Sequence, residues 1–267
     1  MNATQTVVIS QQDCAAYLQT TNQTFGVAVF SPPYNNSTAY DTYQDKLPVA
    51  EYLRNAWVLG IMLERRMVAQ GTVFLNLGPN RTSPQIPWKY LARFCEGGHW
   101  KVQNQIIWVK AATTLSDDGT EFNYGHHRPN RSEALIWSGW EWVFQLCRTV
   151  DYPVALDRLA LGVPYSDKSN LKRFGHERDL RCRGNVWEIP YECNQSRQHP
   201  ASFPPELPWR CLQLAGPGLC QQGVLDPYCG VGNTGIAAAR LGAPFHGVDI
   251  SPDYCLKALE NYRENRT

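Results

Sequence analysis

A six-residue run without a polar side chain, Phe25-Gly26-Val27-Ala28-Val29-Phe30, stops at Ser31-Pro32-Pro33-Tyr34. Proline has no backbone N–H to give a sheet ladder, so two in succession end a strand and set the direction in which the chain leaves it. An unbroken apolar run of strand length is what burial on both faces requires, as in parallel sheets covered by helices. The residues downstream agree. Leu47 to Gln70 reads as a helix, with Leu53, Trp57, Ile61 and Val68 near helical spacing, and Gly71 to Leu77 is a second apolar strand, which completes a β-α-β unit. Pro87 to Cys95 is predicted helical, and Gln103 to Lys110, carrying Ile106-Ile107-Trp108-Val109, is a further strand. Alternation of this kind predicts an α/β fold.

From Ala111 to Glu192 the alternation is lost, and only Ala134 to Trp137 and Trp142 to Leu146 look strand-like. This span is read as an insertion, 111–192, in a sheet domain built from 1–110 and 193–267. With 25 Lys+Arg against 24 Asp+Glu the net charge is +1, which excludes a histone-like polycation and names no partner. Positive charge is local instead: Lys168, Lys172, Arg173, Arg178, Arg181 and Arg183 outnumber Asp167, Glu177 and Asp179 by three. Together with Arg128 and Arg131 they are candidates for phosphate contact, where cations release counterions without reading sequence. A solvated surface is the plainer alternative.

Hydrophobic residues make up 43% and charged ones 18%, which suits a large core and excludes a disordered chain. The nine cysteines form no C-x-x-C pair and are odd in number, so neither zinc nor a disulfide framework is expected, and no metal is assigned. The adjacent His126 and His127 suit a loop better than a metal site. The first 20 residues lack a basic start followed by an apolar run, and no stretch approaches the ~18 apolar residues of a membrane span. The expectation is an intracellular protein away from membranes: cytoplasmic or nucleoid-associated in a prokaryote or virus, nuclear in a eukaryote.

After the turn His199-Pro200-Ala201-Ser202-Phe203-Pro204-Pro205 the β-α pattern returns. Gly223-Val224-Leu225 leads through Asp226-Pro227-Tyr228-Cys229-Gly230-Val231-Gly232-Asn233-Thr234-Gly235 into an alanine-rich helix, then a strand to Asp249 and a helix from Pro252 to Arg263. Gly230-x-Gly232-x-x-Gly235 allows a tight turn and close approach of a ligand to bare backbone. By itself that turn also suits pyrophosphate at a helix N-terminus, or plain packing of strand on helix. Asp249 closes the next strand 17 residues after Gly232, where a carboxylate can accept both ribose hydroxyls of an adenosine-containing ligand.

Taken together, Ser31-Pro32-Pro33-Tyr34 and Asp226 to Gly235 resemble the paired signatures of the amino-methyltransferases of DNA, which methylate exocyclic nitrogens of cytosine or adenine. The order, catalytic motif first and cofactor loop near the C-terminus, resembles the circularly permuted β-type members. Asp13-Cys14, Ile106 to Lys110, Gly184 to Pro190 and His199-Pro200-Ala201 extend the resemblance over nearly the whole chain. Where the family's loop usually reads F-x-G-S-G-T-T, this chain has Val231 and Asn233. The resemblance implies a Rossmann-like S-adenosylmethionine-dependent fold with a target-recognition insertion. Asp13, His199, Asp226, Pro227, Tyr228, Cys229, Gly230, Gly232, Asn233, Thr234 and Asp249 would form the cofactor site. Double-stranded DNA would be the substrate, and a cognate restriction endonuclease and the oligomeric state are left open. Asp13 would meet the adenine end of the cofactor, although capping a helix explains it as well. His199 either orients the turn or is structural.

The first motif has a chemical rationale of its own. An exocyclic amine shares its lone pair with the ring and is a poor nucleophile until its hydrogens are held out of plane. Ser31 Oγ and the Pro32 carbonyl would accept those hydrogens, with Pro33 stiffening the turn, and Tyr34 would offer a face to the base. The base must leave the duplex first, at a cost of a few kcal/mol. Transfer is then direct, with nitrogen, methyl carbon and sulfur in line, and needs no catalytic cysteine. By resemblance, Ser at the first motif position is usual for cytosine N4, and Asp or Asn for adenine N6. N6-adenine methylation is the alternative. A nucleic-acid-binding module without turnover, prompted by Val231 and Asn233, and a nicotinamide dehydrogenase, which leaves Ser31 to Tyr34 unexplained, stand further off.

Overall fold

A computed structural model of the chain describes residues 6–80, 83–115, 118–124, 133–134, 136, 138–169, 171, 179–191 and 200–265. In chain order the strands are β1 (Val7–Gln11), β2 (Phe25–Phe30), β3 (Met67–Leu77), β4 (Trp100–Val109), β5 (Ala112–Leu115), β6 (Glu121–Tyr124), β7 (Trp140–Arg148), β8 (Val186–Glu188), β9 (Val224–Asp226) and β10 (Phe245–Asp249). Eight of them form one sheet in the order β1-β10-β9-β2-β3-β7-β4-β8, and β5 and β6 form a separate antiparallel pair. Within the large sheet only β7 runs against its neighbours, between β3 and β4.

Helices cover both faces. α1 (Cys14–Thr20), α2 (Val49–Glu64) and α3 (Ile86–Phe94) pack on one; α4 (Glu206–Ala215), α5 (Pro217–Cys220), α6 (Asn233–Arg240) and α7 (Pro252–Glu264) pack on the other. β2 shows why its sequence has no polar residue. Ala28 and Phe30 enter the first core and Val27 and Val29 the second, each no more than 2% exposed. Each larger side chain so buried contributes about 1.5–3 kcal/mol. Gly26 serves a close approach: a Cβ there would lie 2.0 Å from the Leu219 carbonyl oxygen of α5.

Two boundaries differ from those predicted. α2 ends at Glu64 and Met67 already belongs to β3, so Val68 is a strand residue. The buried stripe of α2 is Tyr52, Ala56, Leu59, Gly60 and Leu63, while Trp57 remains 37% exposed. The reason is the crossing of α3, which needs small residues: a Cβ on Gly60 would lie 2.3 Å from the Phe94 carbonyl oxygen. The span 111–192, predicted as an insertion, returns to the sheet twice, as β7 and β8. An antiparallel strand needs no helical crossover, so loss of the β-α rhythm does not mark departure from the sheet. Between β4 and β8 the described chain therefore leaves the large sheet after Val109 and again after Arg148. β1 and α1 also escape sequence reading, because this edge strand is only half buried and its apolar run is three residues long, Val7 to Ile9. No helix among the described residues is long and apolar enough to cross a membrane.

Candidate active site

From β2 the chain steps through α2 to β3 on one side of the sheet, and from β9 through α6 to β10 on the other. Loops leaving two such strands diverge and open a crevice at the strand C-terminal ends. A cavity of about 270 Å³ lies there. Ser31, Pro32 and Pro33 leave β2 onto its wall, Pro227 to Val231 leave β9, Asp249 ends β10, and Asp13 follows β1. The pairs Val27–Val224 and Ala28–Leu225 hold the first two loops side by side.

The glycine turn is supported from behind. Asp226, 1% exposed, accepts the Tyr228 amide at 3.0 Å and the Thr234 hydroxyl at 2.6 Å. Asp226 and Thr234, both predicted to touch the cofactor, are therefore set beneath the turn and do not line the cavity. Gly232 is displaced from the wall too. Its φ is +84°, and a Cβ would lie 2.9 Å from Cα of Ala258, so its bareness lets α7 close on α6. Gly230 (φ +48°) stays on the wall and donates its amide to Asp249 Oδ2 at 2.9 Å. Asp249 Oδ1 accepts the Ser251 amide at 2.9 Å. Its carboxyl is held above the ordinary value by burial.

Tyr228 and Cys229 also reach the wall, and the Tyr228 ring lies 6.0 Å from that of Phe30. Asn233 Nδ2 donates to the Phe203 carbonyl at 2.6 Å, which ties the glycine turn to the segment after Pro200. His199 lies outside the described residues; Ala201, Ser202 and Phe203 just after it line the wall. Asp13 caps α1 through the Ala15 and Ala16 amides, at 2.9 and 3.0 Å, and also lies on the cavity wall.

Tyr34 does not occupy the place predicted for it. The ring does not line the cavity; its hydroxyl turns inward, 2.6 Å from Ser31 Oγ, and donates to Glu141 Oε2 at 3.0 Å. Burial first, then the neighbouring Glu141, pushes that hydroxyl well above its ordinary value, so it stays neutral. The backbone of the motif is anchored by Tyr52, whose hydroxyl donates to the Pro33 carbonyl at 2.8 Å, and by Asn80 Nδ2, which donates to the Tyr34 carbonyl at 2.8 Å.

The basic run is only partly described. Lys168 is paired with Asp179, Arg183 Nε donates to the Leu161 carbonyl at 3.2 Å, and Arg181 pairs through its main chain with Val163. None of the three lines the cavity. Arg128, Arg131, Lys172, Arg173 and Arg178 lie outside the described residues, as do His126 and His127. Cys14, Cys147, Cys211, Cys220, Cys229 and Cys255 are buried.

Asp45 is a site-forming residue that sequence reading missed. Only 2% exposed, it accepts the amides of Asn35, Asn36 and Thr38 at 2.8, 2.9 and 3.0 Å. It thereby folds the segment between Tyr34 and Leu47, which places Tyr40 and Tyr43 on the wall and holds Asn35 and Ser37 at φ of +57° and +58°. The one available sequence signal is a pair of acids, Asp41 and Asp45, after a run of Asn and Ser. Asp45→Ala strands three donors, and unmade bonds of this kind cost about 1–3 kcal/mol each. Partial rescue by water leaves an expected loss of about 3 kcal/mol in urea unfolding.

A family model described as DNA methylase matches residues 26–260. The chain belongs to the DNA methylase family. It is 24% identical to the Type II methyltransferase M.BglII of Bacillus subtilis over 245 residues, 85% of this chain and 61% of that protein. It is 25% identical to M.SmaI of Serratia marcescens over 284 residues, 92% and 86% of the two chains. Among solved structures, the cytosine-N4-specific PvuII DNA methyltransferase superposes with a TM-score of 0.70 at 14% identity, covering 97% of this chain and 87% of that one. TTHA0409 of Thermus thermophilus, complexed with S-adenosyl-L-methionine, gives 0.61 at 22% identity, covering 98% and 94%. The architecture is thus that of the Rossmann-like methyltransferases, with the Ser31–Tyr34 loop preceding the Asp226–Gly235 loop in the chain.

In this DNA methylase the buried Asp226 predicts a pH dependence. Burial raises its carboxyl from 3.8 to about 7, against the Thr234 and Tyr228 hydrogen bonds, which lower it. Between those values the folded chain holds a proton that the unfolded chain has released. The stability this proton contributes is fully present below about pH 4 and is lost as pH rises to about 7, with a slope of up to about 1.4 kcal/mol per pH unit. Urea melts of wild type and Asp226→Asn across this range should show that slope in wild type and its absence in the variant.

Proposed function

We propose that the chain transfers a methyl group from S-adenosylmethionine to the exocyclic N4 of a cytosine rotated out of double-stranded DNA. One observation carries the reading: Ser31, Pro32 and Pro33 share a cavity with Gly230 and Asp249 at the crevice between β2 and β9. The donor set suits the cofactor. Asp249 offers a carboxylate for ribose hydroxyls, Gly230 brings bare backbone to the wall, and Asp13 and Phe203 line the same cavity and would meet the adenine. S-adenosylmethionine, when bound, supplies a methyl carbon on a sulfonium that is its own leaving group, so no protein nucleophile is required.

The chain's residues then act on the amine. Ser31 Oγ and the Pro32 carbonyl accept its two hydrogens and turn the nitrogen lone pair out of the ring plane. Seating the base against these acceptors converts an encounter into an aligned attack. Segments within 111–139 and 149–185, with the basic residues 128–131 and 168–183, supply contacts to phosphate and to the target sequence. Methylated DNA digested to nucleosides and analysed by mass tests the choice of base: N4-methylcytidine is expected as the deoxynucleoside, and N6-methyldeoxyadenosine would replace cytosine by adenine in the reading.

A further inference from the structure

Behind Ser31 lies a carboxylate that the chemistry above leaves unused. Glu141, on β7, is 7% exposed. Its Oε2 accepts the Tyr34 hydroxyl at 3.0 Å and Asn76 Nδ2 at 3.1 Å, and its Oε1 is paired with Lys110 Nζ. Tyr34 Oη is in turn 2.6 Å from Ser31 Oγ, on the cavity wall. Gly78 leaves the space in which they meet: a Cβ there would lie 2.4 Å from the Tyr34 ring and 2.9 Å from the Glu141 carboxyl.

This chain of contacts has a direction. A carboxylate only accepts, and a tyrosine hydroxyl has one hydrogen to give. Among the described residues the other acceptors in reach of Tyr34 Oη are neutral, Ser31 Oγ at 2.6 Å and Asn76 Oδ1 at 3.3 Å, and the charged carboxylate is the strongest of the three. With its hydrogen committed to Glu141, Tyr34 Oη presents lone pairs to Ser31, whose own hydrogen must then point away from the cavity. Both lone pairs of Ser31 Oγ remain for the target amine.

We propose that Glu141 is a positioning residue of the methyl-transfer site: acting through Tyr34, it holds Ser31 as a hydrogen-bond acceptor toward the target amine and takes up the proton that the amine loses. The inference rests on the reading of Ser31 as the amine's acceptor. As the N–C bond forms and the C–S bond breaks, the nitrogen becomes positively charged and the sulfur neutral. The N–H bond then breaks: its proton passes to Ser31 Oγ, the Ser31 hydrogen to Tyr34 Oη, and the Tyr34 hydrogen to Glu141 Oε2. No tyrosinate forms, consistent with a hydroxyl whose ionisation burial opposes. Neutral Glu141 returns the proton along the same route to water once product has left. Lys110, whose side chain is 22% exposed, keeps its charge solvated throughout.

The test is enzyme-excess single turnover with unmethylated bacterial genomic DNA and methyl-tritiated S-adenosylmethionine. Glu141→Gln still accepts from Tyr34 but cannot take a proton, and Tyr34→Phe cuts the route. Each is expected to slow transfer about 100-fold, as loss of proton-transfer assistance does. The S-adenosylmethionine Kd by calorimetry and the half-saturating DNA concentration should not change. The double variant should be within about threefold of either single one, since steps in series do not add. Wild-type rate in either single variant, or effects that multiply in the double, overturns the proposal. If Glu141→Gln does not fold, Tyr34→Phe decides alone, because it leaves the contacts of Glu141 with Lys110 and Asn76 in place. Ser31→Ala is the reference: should it retain full activity, the reading of Ser31 fails, whereas a dead Ser31→Ala beside a fully active Glu141→Gln removes only the role of Glu141.

Discussion

Ser31→Ala is expected to slow methyl transfer by about 100- to 1,000-fold with S-adenosylmethionine affinity unchanged, the scale on which removal of one preorganised polar partner acts. The oxygen lost belongs to a residue of the cavity wall and, in the proposed reading, is the one that meets the amine; Tyr34 Oη loses its 2.6 Å partner with it. The cofactor side, as proposed, is built from other elements: Gly230 after β9 and Asp249 at the end of β10, joined by their own 2.9 Å hydrogen bond. Calorimetry should therefore give the wild-type Kd while single-turnover rates fall. An alanine variant as fast as wild type removes Ser31 from the mechanism.

Asp249→Ala is expected to do the reverse. Its carboxylate accepts the Gly230 and Ser251 amides and also lies on the wall. Removing it takes away a charged acceptor and leaves the glycine turn without the bond that sets its distance from β10. A charge-assisted hydrogen bond is worth about 1.5–3 kcal/mol. The loss of affinity for S-adenosylmethionine should therefore be about 100-fold, with the rate at saturating cofactor reduced far less. Asp249→Asn, which keeps one acceptor oxygen, should fall between the two. Unchanged calorimetric affinity in the alanine variant would place the cofactor elsewhere.

Legibility followed the range of the physics. β2 could be read because burial on both faces strips a strand of polar residues, and the turn after β9 because left-handed backbone at Gly230 and Gly232 favours glycine. β7 could not be read as part of the sheet. Trp140, Trp142 and Phe144 make an edge-to-face and stacked aromatic ladder with Trp88, and this composition looks irregular without the helix they pack beside. In α2 two stripes have helical spacing, and the choice between them was made by α3 crossing at Gly60. The functional labels on Asp226, Gly232 and Thr234 came from a motif whose letters do not say which side chains turn toward a ligand and which turn beneath it.

By itself the sequence determined the two loops and the order in which they occur, because proline and glycine constrain the backbone where they stand, whatever surrounds them. Only the tertiary structure decided that Ser31 and Gly230 share a cavity, through the parallel pairing of β2 with β9 that no local signal encodes. It also decided that the carboxylate reaching Ser31 through Tyr34 comes from β7. Hydrogen-bond partners are chosen by position in space, and a buried acid must find its donors among whatever strands the fold sets beside it.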